Sequence, residues 1–485
     1  MGAGMSGLAM GAKLKSVGEH DFVILEKSAD LGGTWLDNRY PGAQCDVRSH
    51  LYSFSFAPNP NWSRRYATAP EIHAYMHDCA NQLGLQAHCR FGTNLRSAIW
   101  QTDQSHWLLT TSAGMQLSCD QFICSTAPLN EPKWPQINGI ETFQGQLLHT
   151  ARWDPNFNPR DKKIAIIGNA ASAVQVVPEL AKVASQLTVF QRTPNWIIPR
   201  NDKAYSRWQL ACFKLPFVGR AVVGQVLRGA LYIQHEINRL GFTKNSFGSR
   251  LAKRTALHHM AKQIPDVALR ERVTPTFPVG CKRVLLSDSY YPALQQNNVR
   301  LETQAITQIT SHGIQVGKVA PCAVMPFDVI VCATGFDLEA VRQAVEIQGI
   351  NGVTLAQQWQ LGPMAYKGTC VAGMPNFYML LGPNTATGHT STLLYIEAQT
   401  DFIVRALRLI KQRKLKVMVL RSGVMEAFDQ ALQAKMANTV WSESCVSWYK
   451  RLPSEGGRVI TIWPGFTGAF KRLLASEQFE DFEFF

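Results

Sequence analysis

No C-x-x-C pair occurs among the 11 cysteines of this 485-residue chain, and no Cys/His cluster falls at zinc spacing. An odd, scattered set of thiols argues against a disulfide framework and against a metal site, and it fits a reducing compartment such as the cytoplasm. No apolar run reaches membrane-spanning length. The nearest, residues 212–233, is broken by Lys214, Pro216, Arg220 and Arg228. It reads as a helix packed on its own domain, with weak peripheral membrane contact as the alternative. Lys plus Arg (49) exceeds Asp plus Glu (35) by 14, yet no run of five basic residues appears. That spread excludes a nucleic-acid tract and leaves anionic cofactors to account for a few of the charges. Low-complexity segments are absent too. What remains is an ordinary globular composition, 46% hydrophobic and 17% charged, long enough for about two or three domains.

Two glycine-rich turns organise the chain. The first reads G-A-G-M-S-G, with Gly2, Gly4 and Gly7, and leads through a helix-like run into D-F-V-I-L-E-K, which ends at Glu26. In a dinucleotide-binding βαβ unit the first glycine permits the tight turn and the second admits the pyrophosphate. The third lets helix pack on sheet, and an acid about 20 residues on meets the ribose hydroxyls. A buried strand normally precedes such a turn, and here Met1 stands directly on it. The expectation is either a start placed too late, which we favour, or a true truncation of the central strand. The second turn follows the strand K-K-I-A-I-I-G and reads G-N-A-A-S-A, with Gly168, Ser172 and Ala173. Ala170 takes the place of the glycine that faces the pyrophosphate. The next strand ends in Arg192 and Thr193 rather than an acid, which suits a 2′-phosphate and therefore NADP over NAD.

Between these turns lies F-Q-G-Q-L-L-H-T-A-R-W-D, with Phe143, Gly145, His149 and Trp153 at set spacings. Upstream, G-G-T-W-L-D-N-R-Y-P-G-A-Q-C-D runs from Gly32 to Asp46 and includes Gly33, Thr34, Trp35, Tyr40, Pro41 and Gly42. Together these stretches resemble the F-x-G-x-x-x-H-x-x-x-W fingerprint and the G-G-x-W-x-x-x-x-Y-P-G-x-x-x-D signature of Baeyer–Villiger monooxygenases. The resemblance covers the chain from Gly2 to about Gly468. Later matches are G-C-K-R with Lys282 and Arg283, the A-T-G of Ala333–Gly335, G-P-N-T-A-T-G-H-T-S, S-W-Y-K with Trp448, and W-P-G from Trp463, the last in the form of fungal members.

The resemblance implies an α/β fold with two Rossmann-like dinucleotide-binding domains and an inserted helical subdomain. It places an FAD domain at 1–140 and 338–485, an NADP domain at 141–200 and 280–337, and the helical insertion at 201–279. It also implies FAD and NADPH as cofactors. One atom of O2 is then inserted next to a ketone carbonyl through a C4a-peroxyflavin, giving an ester or lactone. The fungal likeness associates this with secondary-metabolite, polyketide-like ketones. Arg283 is the expected fixed cation for the developing oxyanion, since arginine stays charged and donates in a rigid fork. Asp46 is expected to orient it. Gly2, Gly4, Gly7, Glu26, Gly33, Thr34, Trp35 and Asp46 are assigned to FAD. Gly168, Ser172, Ala173, Arg192, Thr193, Lys282 and Trp448 are assigned to NADP and the mobile closing loop. Phe143, Gly145, His149 and Trp153 couple the domains rather than perform chemistry. Read without the resemblance, Lys282–Arg283 is an exposed basic pair and Asp46 a turn residue. An S- or N-oxygenating flavin monooxygenase and a non-catalytic nucleotide-binding homologue stay open as alternatives.

Overall fold

The computed structural model describes the chain apart from residues 127–128, 216–218, 220–221, 318–323, 340–343 and 452–456. Pro216 and Arg220 of the 212–233 stretch therefore lie outside the described residues. The first glycine turn opens helix α1 (Met5–Ser16), followed by strand β1 (Ile24–Leu25). Helix α2 (Ala69–Gln82) comes next and is fixed at its start by a capping box between Thr68 and Glu71. Strand β2 (Phe122–Cys124) pairs in parallel with the later Phe377–Met379 strand. The backbone of Met1–Ala3 lies between β1 and β2. Gly2 N–H donates to Leu25 O at 2.7 Å, the Met1 amino group donates to Ile123 O at 2.8 Å, and Ser125 N–H donates to Met1 O at 2.9 Å. The place expected for the central strand is thus held, at its carboxyl end, by the turn itself.

The second unit is a complete parallel sheet. Strands β3 (Gln146–His149), β4 (Lys163–Ile167), β5 (Gln186–Phe190), β6 (Val299–Glu302) and β7 (Val329–Cys332) lie in the order β6-β5-β4-β7-β3. Helix α3 (Ala171–Ala181) crosses over between β4 and β5. After its first residue β4 is buried throughout, as is β7, because both faces of such a sheet are covered. A three-stranded antiparallel sheet (306–310, 313–316, 324–326) is attached to this unit, and a four-stranded mixed sheet (95–101, 106–111, 116–119, 346–348), in which 346–348 runs parallel to 95–101, to the first.

Between 201 and 279 the longer described elements are helical: Arg207–Lys214, Arg228–Asn238, Phe247–Gln263 and Val267–Val273. Ser206, Ser246 and Asp266 cap three of them through their side chains. Arg239 of this region donates to Pro464 O at 2.9 Å through Nε, and Glu236 accepts from Thr467 N–H at 3.0 Å. These bonds fasten the helices to the segment that carries W-P-G. No helix among the described residues is long and apolar enough to cross a membrane.

Candidate active site

The first glycine turn has the shape needed to receive a pyrophosphate. Gly2 sits at φ +98°, and a Cβ on Gly7 would stand 1.8 Å from Gly2 O, so both positions require glycine. Gly4 precedes α1 without a side-chain cap, which leaves the first N–H groups of the helix for an anion. Gly33, at φ +53°, approaches so closely that a Cβ would lie 3.2 Å from Gly4 Cα, and Gly32 N–H donates to Ala3 O at 3.0 Å. Thr34 and Trp35 begin the short helix that follows. Glu26 is buried, and its Oε2 accepts from Ala3 N–H at 2.7 Å, which anchors the turn and leaves further lone pairs for ribose hydroxyls. These residues fit an FAD.

Beside this turn, His77 Nε2 bonds Asp30 Oδ2 at 3.0 Å, and His73 Nε2 donates to Leu31 O at 2.9 Å. The two histidines, four apart on α2, pin the loop that leads to Gly32.

The second turn repeats the pattern with substitutions. Gly168 stands at φ +113°, where a Cβ would meet Ala333 O at 2.5 Å, and Ala170 precedes α3 at the cap position without a side-chain cap. Ala173 is fully buried, so its methyl is tolerated at the helix–sheet contact. Arg192 is exposed and Thr193 half-buried just past β5. Lys282 lies near Arg192: burial and then that like charge hold its ammonium below the ordinary lysine range. Two cations held together this way fit a 2′-phosphate.

Arg283 and Asp46 meet although 237 residues separate them. The guanidinium donates to Asp46 Oδ2 through Nε at 3.0 Å and again through Nη2. Both side chains are half-buried, 36% and 29% exposed. Burial pushes the Asp46 carboxyl up, but the charge and hydrogen bonds of Arg283 and the charge of Arg200 outweigh it, and the group stays below the usual carboxylate range. Asp46 in turn raises the guanidinium further, so Arg283 is a permanent cation.

The motif missed two neighbours of this pair. Arg200 donates to Cys45 O at 2.5 Å and lies 4.9 Å from the centre of the Tyr66 ring, which Arg48 also approaches, at 5.0 Å. Tyr449 is buried against the pair, with burial pushing its phenol up to about 12, and Trp448 packs on it at 4.7 Å. No spacing announces either residue; Tyr449 only stands beside Trp448 in S-W-Y-K. The adjoining G-P-N-T-A-T-G loop is zipped to the segment ahead of W-P-G. Asn384 N–H donates to Ile460 O at 3.1 Å and Ala386 N–H to Thr461 O at 2.8 Å.

The fingerprint stretch lies apart from this chemistry. A Cβ on Gly145 would meet Asp328 O at 2.4 Å and Phe143 Cζ at 2.5 Å, so the phenylalanine ring occupies the space that glycine leaves. His149 ends β3. Its Nδ1 accepts from Ala151 N–H at 3.1 Å, which places the proton on Nε2, facing Thr334 Oγ1 at 3.4 Å. Thr334 donates onward to Lys133 O at 2.5 Å. Trp153 packs edge-on to Phe157 and shares a core with Tyr40 and Ala43.

The thiols depart from expectation. Cys281 and Cys445 form a disulfide, with Cα atoms 6.3 Å apart across 164 residues of sequence. The sequence did not announce this one bond, because pairing depends on which loops meet, and no spacing encodes that. The other eight described cysteines are free.

A family model for "Flavin-binding monooxygenase-like" proteins matches residues 1–274. A Baeyer-Villiger monooxygenase of Pseudomonas aeruginosa is 40% identical over 475 residues, covering 98% of this chain and 88% of its own length. Another, from Streptomyces coelicolor, is 37% identical over 97% and 89%. Among solved structures, an oxidized steroid monooxygenase bound to NADP superposes with a TM-score of 0.86 at 27% identity, over 100% of this chain and 98% of the other. Cyclohexanone monooxygenase from Rhodococcus sp. Phi1 bound to NADP+ gives 0.86 at 25% identity over the same shares. With two dinucleotide turns, the paired Arg283 and Asp46, and relatives of this closeness along its whole length, the chain belongs to the flavin-binding monooxygenase-like family, among the Baeyer–Villiger monooxygenases.

Proposed function

We propose that this chain uses FAD and NADPH to insert one atom of O2 next to a ketone carbonyl, releasing an ester or lactone. The observation that carries the reading is the Asp46–Arg283 pair. One partner follows the Gly32–Gly33 loop of the first unit, and the other adjoins Lys282 at the second. FAD supplies the oxygen-activating redox centre and NADPH the hydride that reduces it.

Gly2, Gly4, Gly7, Gly33, Thr34 and Trp35 line the flavin nucleotide, and Glu26 takes its ribose. Gly168, Ser172 and Ala173 receive the second pyrophosphate, while Arg192, Thr193 and Lys282 hold the 2′-phosphate. Arg283 stabilises negative charge as it develops beside the ketone, and Asp46 keeps its fork aimed. Trp448 closes the site over the second nucleotide. Phe143, Gly145, His149 and Trp153 transmit cofactor binding between the units. Support for a division into an FAD domain (1–140, 338–485), an NADP domain (141–200, 280–337) and a helical insertion (201–279) comes from the two largest buried clusters, one about each turn, with Tyr40, Ala43 and Ala69 reaching into the second. A cytoplasmic enzyme acting on a secondary-metabolite ketone completes the reading.

Product identification tests it. Purified protein, yellow with bound flavin, is given NADPH and either a cyclic ketone or a thioether. Lactone formation is expected. Sulfoxide as the sole product assigns the chain to heteroatom oxidation instead, and a colourless protein that FAD cannot reconstitute marks it as non-catalytic.

A further inference from the structure

The disulfide lies where the two halves of the site meet. Cys281 precedes Lys282 and Arg283 directly, and Cys445 stands three residues before Trp448. The Cys281 side is rigid. Its side chain is 1% exposed, and Gly280 before it sits at φ +88° with no room for a Cβ, which would meet Phe242 Cδ1 at 2.8 Å and Val440 Cγ2 at 3.2 Å. Cys445 is buried as well, 8% exposed, but stands between exposed Ser444 and Val446, the latter 65% exposed. Eight described cysteines carry no such bond, so this one is a single placed link and not part of a framework.

We infer that Cys281 and Cys445 form a reversible thiol–disulfide site, which when oxidised latches the Trp448–Tyr449 segment onto the Lys282–Arg283 turn. Three residues of chain span at most about 11 Å, so the bond confines Trp448 to that radius around Cys445, whose own Cα is held 6.3 Å from that of Cys281. Tyr449 then stays against Arg283. With the bond open, the segment between the helical insertion and W-P-G is held only by non-covalent contacts such as the Lys244–Glu443 ion pair at 3.4 Å. In a reducing compartment a lone disulfide of this kind is commonly transient and redox-sensing.

The chemistry balances with a peroxide as oxidant. One thiolate attacks it, the O–O bond breaks, and a sulfenic acid forms while the released hydroxide takes up a proton as water. The second thiolate attacks that sulfur, the S–S bond forms, and a second hydroxide leaves as water. A dithiol reductant returns two electrons by exchange and is itself oxidised to a disulfide.

The test compares wild-type holoenzyme after hydrogen peroxide with the same sample after dithiothreitol. Non-reducing peptide mapping is expected to find a 281–445 linked peptide only in the oxidised sample. Amide exchange across residues 443–450 is expected to be about tenfold slower there, with NADPH turnover reduced several-fold and restored by dithiothreitol. Cys445→Ser, checked for bound flavin, is expected to lose the redox response of both exchange and turnover. The inference is overturned if no linked peptide forms, if the native bond resists dithiothreitol, or if exchange and turnover match in the two states. Peptide mapping and exchange need no ketone, so a wrong assignment of the reaction leaves them interpretable.

Discussion

Tyr40 Oη donates to Gln175 Oε1 at 2.9 Å, so the Y-P-G loop of the first nucleotide unit is bonded to helix α3 of the second. Gln175 Nε2 returns the contact to Gln44 O at 3.0 Å, and Gln44 N–H donates to Oε1 at 3.3 Å. Gly42, at φ +81°, faces the same helix, and a Cβ there would meet Gln175 O at 2.6 Å. The second signature is therefore a docking device as much as a cofactor loop. It fixes where Asp46 stands relative to the second glycine-rich turn.

Gln175→Ala removes all three bonds and is expected to destabilise the protein by about 1–3 kcal/mol. Because the contact lies between the two units, KM for NADPH should rise while bound flavin stays near stoichiometric. Urea unfolding and flavin absorbance measure the two effects separately. Unchanged KM alongside lost stability assigns Gln175 a purely structural place.

Arg283→Ala should lower ketone oxygenation about 100- to 1,000-fold while NADPH-driven flavin reduction proceeds at nearly the wild-type rate. Arg283→Lys keeps a charge but loses the fork, and is expected to recover only part of the activity. Stopped-flow bleaching of the flavin and chromatography of the product separate the two half-reactions. Ester formation near the wild-type rate in Arg283→Ala removes this arginine from the chemistry. Asp46→Asn should behave similarly but more mildly, since the fork loses its charged partner and keeps an acceptor.

Selectivity for NADPH over NADH should collapse in an Arg192→Ala, Lys282→Ala double variant, through a higher KM for NADPH. Each single variant is expected to lose part of it, since the proposed assignment gives one phosphate to both cations. Burial and Arg192 already hold the Lys282 ammonium below its usual range, so removing Arg192 should raise it. Steady-state kcat/KM with each cofactor decides the matter; equal values in the wild type contradict the assignment.

Much of the fold was legible because the two turns carry their own physics. Gly7, Gly33 and Gly168 stand where a Cβ has no room or the backbone no tolerance for one, and the strands beside them are apolar on both faces. Arg283 and Asp46 were readable only through motif order, since nothing local says that residues 237 apart will touch. Arg200, Gln175 and Tyr449 were not readable at all. Their roles come from packing between elements distant in sequence, and their residue types are common on any surface. The Cys281–Cys445 bond was not readable for the same reason. In the fingerprint itself Phe143 fills the space beside Gly145, and His149 bonds main chain and Thr334.

That place for His149 predicts a pH dependence. Burial, outweighing the carbonyl of Lys133 and joined by the charge of Arg152, holds its imidazole down at about 4, against a usual value near 6.5. The neutral ring is the native form because Nδ1 accepts from Ala151 N–H, which an imidazolium cannot do. Between pH 6.5 and 4 the unfolded chain binds a proton at this position and the folded one does not. Stability therefore falls as pH drops through that window, by up to about 1.4 kcal/mol per pH unit from this group alone. His50, buried with both ring nitrogens unpaired and likewise held at about 4, adds a second contribution of the same sign. His149→Asn keeps an acceptor near Ala151 N–H but cannot titrate, so its urea midpoint should decline less between pH 6.5 and 5 than that of the wild type. Identical slopes for the two proteins mean that His149 is protonated in the folded state, and the neutral tautomer facing Thr334 is then wrong.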